Sequence, residues 1–161
     1  MTRFAAIRRM LAIMLLALWW GGFSFYAGRV VFIGHEVLRS KIRQGFITER
    51  VTNELNWLAV VSLSLAAWEL AAARTSVRWR RWPWTAWGVA VATTIVLFIL
   101  HAKLTSQLDF PARQVVTDNF YDWHRAYLCM ASIQWLAGTA LLVTLLSDLC
   151  PTKSSTRADL G

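Results

Sequence analysis

Charged residues are scarce in this sequence, and acidic ones most of all. Charged side chains make up 16% of the 161 residues, whereas a soluble domain carries about a quarter. Only nine residues are Asp or Glu, against 17 Lys or Arg, so the net charge is +8, and 57% of all residues are apolar. This composition excludes an ordinary soluble domain and indicates an integral membrane protein.

Motifs for catalysis and cofactor binding are absent as well. The sequence has no glycine-rich phosphate loop, no serine elbow and no Cys-x-x-Cys pair, so it points to neither an enzyme nor a cofactor. Its two cysteines, Cys129 and Cys150, would lie roughly 30 Å apart on one helix, too far for a disulfide within the chain. The basic residues cluster beside apolar runs, as at membrane boundaries, without any nucleic-acid-binding motif. We therefore expect no nucleic-acid partner.

Long apolar runs are what the sequence has instead. The first, residues 10–28, is 19 residues long without a charge. As a helix it would span about 28 Å, close to the hydrocarbon thickness of a bilayer. Three further runs match it in length, and Glu69 is the only charge in them. We predict an all-α membrane protein with a four-helix transmembrane bundle. Its spans are expected at residues 10–33, 55–73, 82–101 and 124–147.

The domain organisation follows from the short connections between these runs. They leave no room for a separate soluble domain, so residues 1–150 are expected to form one four-span domain. Residues 151–161 are small and polar and are predicted to form a disordered tail. With four spans both termini lie on one side, and a slight excess of basic residues there favours the cytoplasm as that side. The expected location is a cell inner (plasma) membrane.

The segment between the first two spans, residues 34–53, is polar with an apolar edge. Apolar residues recur in it at helical spacing: Leu38, Ile42, Phe46, Ile47 and Val51. This amphipathic pattern predicts a short helix that lies on the membrane surface with its apolar edge against the lipid. A helix that binds a partner protein fits the same pattern.

Small residues in the first span would allow another helix to approach closely. Ala17 with Gly21, and Ser24 with Gly28, each form a small-xxx-small pair, the spacing that favours helix contact in membranes. Besides the lipid bilayer, we therefore expect a second copy of the chain or another membrane protein as partner.

Three histidines fall at the same end of the predicted bundle: His35, His101 and His124. Imidazole close to the carboxylates at that level could form a zinc, copper or iron site, or hold haem. A pH-sensitive cluster is an alternative. No two of them have the i, i+3 or i, i+4 spacing that places two ligands on one helix face, and histidine also occurs at membrane boundaries without binding anything.

Polar residues inside the spans suggest two further roles. Ser132, Gln134 and Thr139 in the fourth span could bond to neighbouring helices or line a translocation path. No span has the central acid that a proton-coupled transporter usually buries. Glu69 lies near the end of the second span, and we expect it to pair at the membrane interface with Arg74 or with a basic residue of a neighbouring helix.

The order of these features matches a known arrangement. The first span is glycine-rich and aromatic and ends at Phe32, residues 55–58 (LNWL) open the second, and residues 120–124 (FYDWH) open the fourth. Over roughly residues 10–147 the chain resembles the transmembrane protein 205-like family, small four-span membrane proteins whose molecular function is unassigned. The resemblance implies a fold and a topology but no mechanism.

Two departures separate the chain from that family's pattern. Residues 29–31 (RVV) stand where the family has a proline before the end of the first helix. Residues 125–127 (RAY) follow the histidine of the fourth helix in place of serine and asparagine.

For the function, we predict a non-enzymatic membrane protein, structural or an accessory to a larger complex. A small-molecule or ion transporter and a metal- or haem-binding protein remain the alternatives.

Overall fold

The structure is a computed structural model that describes residues 3–72, 77–109, 114–115 and 119–147. Its helices are α1 (Arg3–Phe25), a π-helical turn (Tyr26–Val30), α2 (Val31–Leu38), α3 (Lys41–Ala72), α4 (Val77–Thr105) and α5 (Phe120–Ser147). Within these residues, four helical segments are long and apolar enough to cross a membrane: Arg3–Leu38, Arg43–Ala72, Arg81–Thr105 and Phe120–Ser147. The predicted all-α four-helix bundle is confirmed, and its composition is that of a membrane protein. The predicted tail, residues 151–161, lies outside the described residues.

The four long helices run up and down and close into a ring. Each packs against the helix before and after it in the chain, and α1 also contacts α5. We call the end where α1 begins and α5 finishes the N-terminal end, and the opposite end the far end. At the far end, α4 and α5 are connected through two short antiparallel strands, β1 (Leu108–Asp109) and β2 (Gln114–Val115).

The segment between the first two spans is helical, but it does not form a separate surface helix. Residues 34–38 complete α2, and residues 41–53 begin α3, which continues without a break to Ala72. The chain reverses at Arg39, whose φ of 47° is left-handed, and at the following Ser40. The structure therefore differs from the prediction in this one element.

Contacts between the two arms of this hairpin explain the difference. α2 packs against the first turns of α3, and Gly34 lies so close to the side chain of Gln44 that a Cβ would overlap its amide. One turn nearer the bilayer, Tyr26 Oη donates a hydrogen bond to Thr48 Oγ1 at 2.9 Å. Because the first turns of α3 pack against α2, the amphipathic segment extends the bundle instead of lying on the lipid.

The core consists of two clusters of buried apolar side chains. The larger one includes Leu16 and Trp19, and the smaller one, toward the far end, includes Leu97 and Tyr127. Trp19 packs directly on the backbone of α5, because a Cβ on Gly138 would overlap its indole ring. Glycine at this position lets α1 and α5 approach each other across the middle of the bundle.

Candidate functional site

Two tryptophans join α1 and α5 in the middle of the bundle. Trp20 Nε1 donates to Thr139 Oγ1, and Trp135 Nε1 donates to Ser24 Oγ, each at 2.8 Å. The two rings stack with centroids 5.3 Å apart. Each hydroxyl in turn donates to the backbone oxygen of the tryptophan four residues before it. We call these four residues the tryptophan clasp; every polar side-chain atom in it has a partner.

A second polar bond joins α4 and α5. Gln134 is 1% exposed, and its Nε2 donates to Thr94 Oγ1 at 2.6 Å. The Thr94 hydroxyl donates to Ala90 O within its own helix. A buried amide without a partner would be costly in an apolar interior, so this contact fixes the two helices in register.

The remaining two helix pairs are bonded in the same way. Ser62 Oγ of α3 lies 2.7 Å from Leu58 O of its own helix and 3.0 Å from Leu15 O of α1, and its one proton is shared between these two acceptors. Trp87 Nε1 of α4 donates to Leu63 O of α3 at 2.9 Å. Together with the Gln134–Thr94 bond and the tryptophan clasp, these contacts form what we call the interhelical bond ring. Each helix of the bundle is thus hydrogen-bonded to both of its neighbours.

The residues predicted to line a translocation path are not brought together. Gln134 and Thr139 belong to the interhelical bond ring, whereas Ser132 is exposed and donates to Leu128 O of its own helix. Of the clasp, the sequence pointed to Thr139 as a polar residue of a span and to Ser24 only as a small residue of a packing pair, and it singled out neither tryptophan. The available signal was the spacing Trp-x-x-x-Ser/Thr, which occurs once in α1 and once in α5.

Glu69 is buried at the N-terminal end and forms an ion pair. Its Oε2 accepts a hydrogen bond from Arg8 Nε at 2.7 Å, and the Arg8 guanidinium lies 5.9 Å from the centroid of the Trp68 ring. Glu69 therefore pairs with a basic residue of a neighbouring helix, which is one of the two partners predicted from the sequence. The other, Arg74, lies outside the described residues.

The next arginine of α1 contacts a different helix. Arg9 Nη2 donates to Leu145 O in the last turn of α5 at 3.0 Å, where the carbonyls lack helical partners and a cation is favourable. Consecutive arginines thus tie α1 to α3 and to α5. In the sequence Arg8 and Arg9 look like ordinary membrane-flanking charges, because only the tertiary structure shows their acceptors.

The three histidines do not come together into one site. His101 Nε2 lies 3.4 Å from Glu49 Oε1 of α3, and Thr105 Oγ1 lies at the same distance from that oxygen. His124 stacks on Phe120, and His35 is exposed near the end of α2. Within the described ranges, no group of three or more His, Cys, Asp or Glu side chains is placed to hold a metal ion.

A buried polar contact that the sequence did not single out lies beside His101. Asn56 Nδ2 donates to Tyr127 Oη at 3.3 Å. The Tyr127 ring lies 6.5 Å from the His101 ring, centroid to centroid. The far end therefore holds a small polar network shared by α3, α4 and α5.

Comparison with known proteins found no relative of this chain. No family model, no curated protein and no solved structure matches the chain. The resemblance to the transmembrane protein 205-like family stays a prediction.

Proposed function

We propose that this chain is a non-enzymatic membrane protein that acts as a structural or accessory component of the membrane. The observation that carries the proposal is the interhelical bond ring, in which each helix is hydrogen-bonded to both neighbours, through side-chain pairs on α5 and through backbone carbonyls at Ser62 and Trp87. A transporter needs polar groups in its spans that can exchange partners with a substrate. Here Gln134, Thr94 and Thr139 already have partners within the bundle.

The packing of the same region supports this function. Lipid offers helices no hydrophobic reason to associate, so association depends on close packing and on hydrogen bonds between helices. The bundle uses both, since Trp19 fills the space over Gly138 and the tryptophan clasp lies one residue further along each helix. A bundle whose central polar side chains bond within the protein suits a protein that other membrane components pack against.

We further propose that both termini face the cytoplasm, in the plasma membrane. The basic residues Arg8 and Arg9 lie at the N-terminal end, where α1 begins, and the positive-inside rule places such flanks on the cytoplasmic side. The far end, with the α2–α3 hairpin and the turn after α4, would then face outward.

Accessibility of introduced cysteines tests the proposal. In a Cys129→Ser, Cys150→Ser background, single cysteines replace Thr94, Gln134 or Thr139, and a membrane-impermeant maleimide is applied to the protein in vesicles. We expect no labelling at these three positions until the protein is unfolded in SDS. Labelling in the native bilayer would show a water-filled path and favour transport.

A cysteine at Ser106 serves as the reactive control and also reports orientation. Ser106 is exposed in the turn after α4 at the far end, so the reagent should reach it in opened vesicles whatever the function. In intact cells, labelling is expected if the far end faces outward. Protection in intact cells, with labelling after permeabilisation, would reverse the proposed orientation without affecting the proposed function.

A further inference from the structure

Charge is distributed unevenly between the two ends of the bundle. Among the described residues, the N-terminal end has six arginines and one acidic residue, Glu69, whereas the far end has seven basic and five acidic residues. The arginines of the N-terminal end are Arg3, Arg8, Arg9, Arg78, Arg80 and Arg81. The N-terminal end is therefore strongly cationic, whereas charges of both signs are mixed at the far end.

Two of these six arginines bond within the bundle. Arg8 pairs with Glu69, and Arg9 donates to the backbone oxygen of Leu145. The other four lie where α1 and α4 begin, and we call Arg3, Arg78, Arg80 and Arg81 the arginine surface. No acidic residue lies within four positions of any of them in the sequence, the reach of an ion pair along a helix.

The arginine surface lies at the level where a bilayer has its headgroups. Arg81 is exposed and begins the membrane-crossing segment of α4, and Trp82 after it is 60% exposed. At the same end Trp68 of α3 is 50% exposed and meets the ring of Phe4, with centroids 6.2 Å apart. Exposed tryptophans of membrane helices favour the boundary between headgroups and hydrocarbon. The arginine surface is thus next to lipid phosphates.

Two of the exposed cations at the far boundary, in contrast, share a helix face with an exposed acid. Arg50 and Glu54 are four residues apart on α3, and Asp122 and Arg125 are three residues apart on α5. Both spacings place opposite charges side by side on a helix. A headgroup phosphate at these positions competes with a carboxylate of the protein. At the N-terminal end, the one carboxylate of the described residues is already paired with Arg8.

We propose that the arginine surface binds the headgroups of anionic phospholipids. A guanidinium presents its N–H donors in a planar fork that matches the oxygens of a phosphate. In a zwitterionic lipid the positive group beside the phosphate opposes the arginines, so the preference is for headgroups with a net negative charge. This inference does not depend on the proposed function or on the side that the N-terminal end faces.

The neighbours of the arginine surface favour a lipid over a soluble anion. Trp68, Trp82 and Phe4 expose large apolar areas beside the arginines. A phospholipid meets both kinds of group, since its phosphate contacts the guanidinium and its acyl chains contact the rings. A soluble phosphate or polyanion satisfies only the charge and leaves the aromatic rings without an apolar partner.

Spin-labelled lipids in vesicles of phosphatidylcholine measure this preference on the full chain. The electron spin resonance spectrum separates lipid held at the protein from free lipid, and gives the association constant of phosphatidylglycerol relative to phosphatidylcholine with the same chains. One basic residue near an anionic headgroup contributes a factor of about five. Because the spectrum averages all lipids around the protein, we expect a preference of roughly threefold. It should approach one at about 1 M salt, which screens exposed charges. No preference at low salt would overturn the proposal.

Two triple variants locate the preference on the molecule. The test variant is Arg78→Gln, Arg80→Gln, Arg81→Gln. The control removes the same number of basic residues, all exposed near the far boundary, and is Arg50→Gln, Lys103→Gln, Arg125→Gln. We expect the preference to fall most of the way to one in the test variant and to persist in the control. Equal losses in the two variants, or a loss in the control alone, would contradict binding at the N-terminal end.

Inorganic phosphate separates a lipid headgroup from a free anion as the ligand. It is added to the native protein at the same ionic strength as a sodium chloride control. We expect the preference for phosphatidylglycerol to be equal in the two salts, because free phosphate gains nothing from the exposed aromatic rings. Displacement of phosphatidylglycerol by phosphate alone would show that the arginines bind any phosphate, and would overturn the assignment to lipid.

Discussion

The two ends of the bundle hold their helices together by ion pairs of different quality. At the N-terminal end, Arg8 and Glu69 approach to 2.7 Å, with side chains 12% and 4% exposed. At the far end, His101 and Glu49 lie 3.4 Å apart, 13% and 17% exposed. Arginine stays charged at any physiological pH, whereas histidine does not. The N-terminal end is therefore closed by a permanent, short, charge-assisted bond, and the far end by a weaker and longer contact.

Helix length separates the two ends further. The run from Arg3 to Leu38 has 36 residues and is about 54 Å long, well beyond the hydrocarbon thickness of a bilayer. At the far end its last turns pack against the first turns of α3, with a hydrogen bond from Tyr26 to Thr48. At the N-terminal end, charged side chains close to lipid need partners within the protein. At the far end the bundle extends beyond the bilayer, where water can bond to polar groups that lack a protein partner.

Removing the charge of Glu69 should have the largest effect. Glu69→Gln leaves the Arg8 guanidinium in a nearly dry site without its counter-ion, and breaking a buried pair on one side typically costs about 3–5 kcal/mol. We expect a loss of about 3 kcal/mol in the free energy of unfolding, measured by SDS titration in mixed micelles.

A double variant separates the cost of a broken pair from the value of the pair itself. In Arg8→Met, Glu69→Leu both charges are replaced by apolar side chains, which is often neutral or stabilising at a buried site. Most of the lost stability should therefore return. If the double variant is as unstable as Glu69→Gln, the pair holds the helices together by more than mutual neutralisation.

The middle of the bundle should tolerate less change than its outer surface. In Gly138→Ala the added methyl group meets the Trp19 ring, and overpacking of this kind costs about 1–3 kcal/mol. We expect a loss of about 2 kcal/mol in the same titration. Gly88→Ala, which adds the same group where no atom lies within 4 Å, should be neutral or stabilising by up to about 1 kcal/mol, because alanine is the better helix former. Equal effects at the two sites would rule out close packing at Gly138.

Composition and run length were enough to predict the fold. Four apolar runs of bilayer length, with Glu69 as the only charge in them, leave few alternatives to a four-helix bundle, because a membrane admits only helices or closed barrels. The hairpin after the first span was less accessible. An amphipathic pattern shows that a helix has an apolar edge, but not that its first turns pack against α2, a contact in which Gly34 lies against the Gln44 side chain.

The candidate site was only partly predictable, for a related reason. Gln134 and Thr139 stand out as polar residues in an apolar run, and the structure gives both of them interhelical partners. Trp20 and Trp135 are less conspicuous, since tryptophan in a membrane helix is commonly read as an apolar or interfacial residue. Which indole meets which hydroxyl depends on the register between α1 and α5, which local sequence does not contain.

Replacing a glutamate by glutamine should lower the free energy of unfolding much less at the far end than at the N-terminal end. Glu49→Gln removes the carboxylate beside His101 but keeps a side-chain oxygen that can accept from Thr105 and from the imidazole. Because the contact is long and glutamine keeps an acceptor there, we expect a loss below about 1 kcal/mol, less than a typical intramolecular hydrogen bond contributes. Glu54→Gln, at an exposed position one turn further along α3, is the control for loss of a negative charge at this level. A loss at Glu49 as large as at Glu69, with no change at Glu54, would mean that the far end is closed as firmly as the N-terminal end.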